Sequence, residues 1–171
     1  MHQTRRHANG FTLIELLLAL TITGTLLFAT TALVYAAVSA RVQQQSITEV
    51  DAQGNAAIDL ITQALRNATA IVSPVSGSSD SLQLVTAASP LNPTIFQALN
   101  GTLERTQGTG ATVSLTNSHV AVTGLAFTNL SRPGTSSIVQ VRFTLSRVSS
   151  RSTAEYSYQK TFTASAALRQ P

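Results

Sequence analysis

The chain has 171 residues, eleven basic and seven acidic side chains, a formal charge of +4 and no cysteine. That length fits one membrane helix plus one small soluble domain, and the missing cysteines exclude disulfides and thiolate metal sites. The charge is uneven: residues 11–104 carry a net −4 and residues 105–171 a net +6, a hint about partners and not about fold.

The first ten residues are hydrophilic, with Arg5 and Arg6 and no acid, and end at Gly10. Then come Phe11-Thr12-Leu13-Ile14-Glu15 and the uncharged apolar run Leu16–Ala40. As a helix that run is about 37 Å long, against roughly 30 Å of hydrocarbon. It is too long for the core of a cleaved secretory signal, about 7–15 residues. The positive flank predicts a cytoplasmic N-terminus with the bulk of the chain outside. A carboxylate inside hydrocarbon costs on the order of 2.5–3.5 kcal/mol near the helix centre, so Glu15 reads as a functional group needing a partner. A cut between Gly10 and Phe11 would create that partner. The new Phe11 ammonium would lie one helical turn from Glu15, in its own chain or facing Glu15 of a neighbour.

Beyond Arg41, the residues Ile47, Val50, Gly54, Ile58, Ile61 and Leu65 recur at steps of three and four, one amphipathic helical stripe. Gly54-Asn55 is a soft spot worth about 1 kcal/mol relative to alanine, which leaves room for a kink. Ser73-Pro74 closes the element, so the expected helix runs from Phe11 to about Ala70. Residues 75–81 form a Ser/Gly loop. The period then changes from 3.6 to 2. Strands are expected over 82–86, 94–99, 102–106, 112–115, 119–128 and 137–147, followed by a last long strand. Asn100-Gly101 is a hairpin signal. A parity shift at Gly124 predicts a bulge. In the last strand Tyr156, Tyr158, Phe162, Ala164, Ala166 and Leu168 share a face, and Lys160 within that row is expected to snorkel at a sheet edge. One polar face per strand predicts an antiparallel sheet packed on one side, covered by the stripe Ile47–Leu65. The fold class is α+β, with a long N-terminal helix on an antiparallel sheet.

The junction Gly10-Phe11-Thr12-Leu13-Ile14-Glu15 with its apolar continuation resembles the class III signal of type IV pilins and pseudopilins. The resemblance implies cleavage after Gly10 by a prepilin peptidase and N-methylation of Phe11. It also implies a role for Glu15 in methylation and in docking to other pilins in a filament. The corresponding parts are a leader over 1–10, a transmembrane or filament-core helix over 11–40, an amphipathic helix over 41–72 and a β-rich head over 73–171. Major pilins often carry a proline in the apolar helix and a C-terminal disulfide. This chain has no proline between Phe11 and Ser73 and no cysteine, which points to a minor pilin or pseudopilin. The implied location is the inner membrane, then a pilus, secretion or DNA-uptake filament.

Enzymatic sets are missing from the pattern. His119 is the only histidine after the leader, no cysteine or second histidine offers a transition-metal site, and the scattered acids lack calcium-loop spacing. No serine has a nucleophile context, and Gly108-x-Gly110 reads as a turn, not a phosphate loop. No enzyme and no cofactor is expected. The arginines Arg132, Arg142, Arg147, Arg151 and Arg169 are the other candidate site, for an anionic partner such as DNA. Few aromatics accompany them to stack bases, which favours a solvated face.

Overall fold

A computed structural model describes residues 12–132, 134, 136–148 and 158–169. The chain divides into two compact units, Met1–Arg41 and Val42–Pro171. Helix α1 spans Leu13–Asn67, so its first part belongs to one unit and its remainder to the other.

In the first unit, the large apolar side chains from Leu13 to Val38 are all exposed. Five threonines interrupt this surface, and each hydroxyl donates back to a carbonyl three or four residues earlier at 2.7–3.0 Å. None of these five hydroxyl protons is then left unanswered, as a segment in hydrocarbon requires.

In the second unit, α1 buries Ser46, Val50, Gly54, Ala57, Ile61 and Leu65. The predicted stripe is rotated slightly: Ser46 and Ala57 lie deep, while Ile47 and Ile58 are only half-buried. The smallest of these residues, Gly54, sits against the second sheet. At Gly54, a side chain would overlap the tip of the Phe162 ring. The glycine read as a soft spot is a seat for an aromatic ring inside the helical span.

The helix stops at Asn67, not near Ala70. Residues Ala68–Ser73, the end of the segment expected to be helical to 72, form strand β1. The β-branched Thr69, Ile71 and Val72 favour extended backbone. Strand β1 pairs antiparallel with β3 (Ser81–Thr86), and the Thr69 hydroxyl donates to the Val85 carbonyl at 3.1 Å. Gly77–Ser79, within the expected Ser/Gly loop, forms the short strand β2.

The remaining strands follow the alternation closely. They are β4 (Thr94–Leu99), β5 (Thr102–Gln107), β6 (Val113–Ser114), β7 (Val120–Asn129), β8 (Ile138–Arg147) and β9 (Gln159–Ala167). Asn100 and Gly101 both have positive φ, 51° and 76°, as a two-residue type I′ hairpin requires. The β7–β8 register slips between Thr123 and Ala126, and Gly124 there has φ 61°. That is the predicted bulge. It lets Val122 before it and Phe127 after it both reach the core.

The expected single sheet is two antiparallel sheets. Among the described residues one has the order β1-β3-β4-β5-β6 and the other β2-β7-β8-β9. The chain changes sheet after β1, returns at β3, and leaves again after β6. The tip of the β4–β5 hairpin joins the sheets, its Gly101 carbonyl accepting the Val122 N–H at 2.8 Å. Both sheets contribute to one core with Val50, Ala57, Ile61 and Leu65: Leu82, Phe96 and Leu103 from the first, Phe127, Val141 and Phe162 from the second.

Candidate functional site

The N-terminal site is built on the first turn of α1. The Thr12 carbonyl accepts the N–H groups of Glu15 and Leu16 at 3.1 and 3.2 Å, which starts the helix. Glu15 lies in that turn, exposed, among Leu13, Ile14, Leu16 and Leu17, which are exposed as well. A carboxylate there is favoured by the positive end of the helix dipole. Its side chain has no hydrogen-bond or ion-pair partner among the described residues. Gly10 and Phe11, the expected cleavage pair, lie outside the described residues.

The arginines do not converge. On β8, Val139, Val141, Phe143 and Leu145 are buried. Arg142 projects to the other side, exposed, with Ala126 and Thr163 as its strand neighbours. Arg147 has the parity of the buried residues and turns toward α1. Its Nη1 donates to Glu49 at 3.2 Å, and the other oxygen of Glu49 accepts from Asn117 at 3.0 Å. Arg132 and Arg169 are exposed at the end of the second sheet where β8 begins. Arg147 closes the other end of that strand, about 30 Å away at the usual rise per residue. Arg151 lies outside the described residues.

Two cross-links between helix and sheet were not legible in the sequence. Glu49 to Arg147 is one. The other joins Asp51 to Lys160, 2.9 Å apart, with the ammonium also 5.3 Å from the centroid of the Phe162 ring. Lys160 sits on β9, an edge strand of its sheet, as its interruption of the apolar row predicts. The hydrogen bond to Asp51 raises the Lys160 pKa above its ordinary 10.5; partial desolvation opposes this, and the Asp51 charge and Tyr158 reinforce it. Glu49 and Asp51 flank the buried stripe with no basic residue one turn away. That was the available signal, although nothing local names their partners.

Among the described residues no group of three or more His, Cys, Asp or Glu side chains is arranged to hold a metal.

The helix is long and apolar enough to cross a membrane and lies near the N-terminus. An exposed apolar helix with a carboxylate in its first turn, continuing into a sheet-covered half, defines a pilin-like α+β architecture. Residues 5–31 match the family model of the prokaryotic N-terminal methylation motif, a span that includes Gly10, Phe11 and Glu15. The chain thus carries a type IV pilin-like prepilin signal. No curated protein and no solved structure matches the chain.

Proposed function

We propose that this protein is a minor pilin or pseudopilin. In this reading a prepilin peptidase cuts between Gly10 and Phe11 on the cytoplasmic side, and the new Phe11 terminus is N-methylated. The processed chain waits in the inner membrane with its head outside the cytoplasm and assembles with other pilins into, or at the tip of, a pilus, type II secretion or DNA-uptake filament. The methylation motif at residues 5–31 is the observation that carries the reading.

The exposed apolar surface from Leu13 to Val38 fits this role, because it suits both lipid and a bundle of like helices. Glu15 has no partner in its own chain among the described residues, so the Phe11 ammonium of a neighbour would answer its charge and set axial register. The head contributes a structural surface and no catalytic step.

Intact mass measurement on protein from its own cells tests the processing step. A chain starting at Phe11 and heavier by one methyl group supports it, and a chain still starting at Met1 overturns it. Glu15→Ala is expected to leave cleavage intact while lowering incorporation into filaments.

A filament-borne receptor for DNA or another anion, using the arginine-rich half, has weaker support. Arg147 is engaged by Glu49, Arg142 projects from the outer face of β8, and Arg132 and Arg169 lie at one end of the sheet away from both. Binding of the protein to duplex DNA with a steep salt dependence would favour it.

A further inference from the structure

A cleft of about 430 Å³ lies in the head between the last turns of α1 and the first sheet. Its size falls within the range of small-molecule sites, roughly 300–1,000 Å³. Leu60 and Ala64 of α1 and Leu91 of the 3₁₀ turn Ser89–Leu91 supply apolar wall, and Thr94, Gln107 and Arg105 come from the sheet.

Arg105 is the unusual member. It occupies an inward position on β5, two residues beyond fully buried Leu103 and opposite fully buried Phe96. Arginine is rarely placed there without a counter-charge. Yet its Nε is buried with no hydrogen-bond partner, and no ion pair among the described residues involves it. A buried donor left unanswered is costly, and more so when charged.

The cleft is also built in advance. The Asn92 side chain is bonded to both backbone groups of Thr86, accepting from N–H at 2.6 Å and donating to the carbonyl at 2.7 Å. Gly108 lets the Pro90 carbonyl press against the backbone where a side chain would collide. These contacts fix the 3₁₀ turn as a wall, so little ordering is left to oppose binding.

We propose that this cleft binds a carboxylate carried on a short apolar stem, with the Arg105 guanidinium taking the carboxylate and Leu60, Ala64 and Leu91 enclosing the stem. A single guanidinium matches the planar, singly charged carboxylate in a bidentate fork. The apolar wall excludes a strongly hydrated multivalent anion. The carboxylate has two sources, a free small acid or an acidic side chain of a second copy of this chain. Asp59 and Asp80 are exposed and make no ion pair among the described residues. The site stands on the head alone and does not depend on the filament reading.

The test uses the full chain in detergent micelles, with methyl-labelled leucine and ¹⁵N arginine followed by NMR. Hexanoate is expected to shift the Leu60 and Leu91 methyls and the Arg105 Nε–H saturably, with a dissociation constant on the order of millimolar. Hexan-1-ol, of like size without charge, should bind at least about tenfold more weakly. Arg105→Gln should lose about the same factor for hexanoate and none for hexan-1-ol, with Arg105→Lys in between. Shifts at the same signals on raising the protein concentration without any acid would support the site and assign the carboxylate to a second copy. Equal responses to hexanoate and hexan-1-ol would overturn the proposal, leaving an apolar hollow in which solvent meets Arg105. So would silence of these signals to both hexanoate and protein concentration.

Discussion

Gly54→Ala isolates a conflict between local and tertiary preference. Alone, the change should stabilise a helix by about 1 kcal/mol, because alanine loses less backbone entropy. In the fold, the added methyl group would fall on Cζ, Cε1 and Cε2 of Phe162. Rotating the ring about its own axis cannot help, because Cζ lies on that axis. The ring must leave its rotamer or β9 must move from α1. Sideways relief is limited as well: Phe143 stacks on the ring at 5.6 Å and the Lys160 ammonium lies 5.3 Å from its centroid. Overpacking of this kind costs typically about 1–3 kcal/mol and occasionally more. With three ring atoms struck at once the upper end applies. After the propensity gain, a net loss of about 2 kcal/mol is expected. Urea unfolding of the full chain in micelles, followed by circular dichroism, measures it. Phe162→Leu lacks Cζ and removes the collision, so the double variant should be more stable than the sum of the single losses by about 1–2 kcal/mol. A Gly54→Ala chain as stable as the parent, or more so, would refute the reasoning and leave helix propensity in control.

The hairpin gives a second prediction. Gly101→Ala forces a side chain into the left-handed region and should cost about 1–2 kcal/mol by urea unfolding, whereas Asn100→Gly should stay within about 0.5 kcal/mol. Glu49→Gln removes the ionic component of the contact with Arg147 but keeps an acceptor for Asn117. A loss of about 1 kcal/mol is expected at low salt, shrinking toward zero at about 1 M salt; a salt-independent loss would point to packing instead. Lys160 is held above its ordinary 10.5 by Asp51. Its contribution is therefore fully present below that value and is lost as pH rises through the higher folded pKa. The melting temperature of the parent minus that of Lys160→Met should be constant through neutral and mildly alkaline pH and fall only in strong alkali; a difference that already fades near neutrality would refute this assignment.

Much of the head was legible because strand chemistry is local. Alternation along Val139, Val141, Phe143 and Leu145 marks an inward face wherever the strand is placed. Asn100-Gly101 sets a turn from its own backbone preferences, and Gly124 marks a bulge by the parity on either side of it. The errors fell where a short segment had two acceptable answers. Ala68–Ser73 continues a helical pattern and is also a β-branched run. It becomes a strand because β3 offers it hydrogen bonds. Gly54 reads as a helix weakness until the ring that occupies it is known.

The sequence by itself determined the N-terminal junction, the apolar helix, the amphipathic stripe and the parity of most strands. Each of these is carried by residue chemistry over a few neighbouring positions. Tertiary structure alone decided that the strands divide into two sheets. It also decided that Arg147 and Lys160 answer Glu49 and Asp51 across 98 and 109 residues of chain, and that Arg105 faces a cleft with no ion-pair partner among the described residues. A repeat of two or 3.6 residues says which way a side chain points. It carries no information about which distant element will stand opposite, and that choice is made only when the whole core closes.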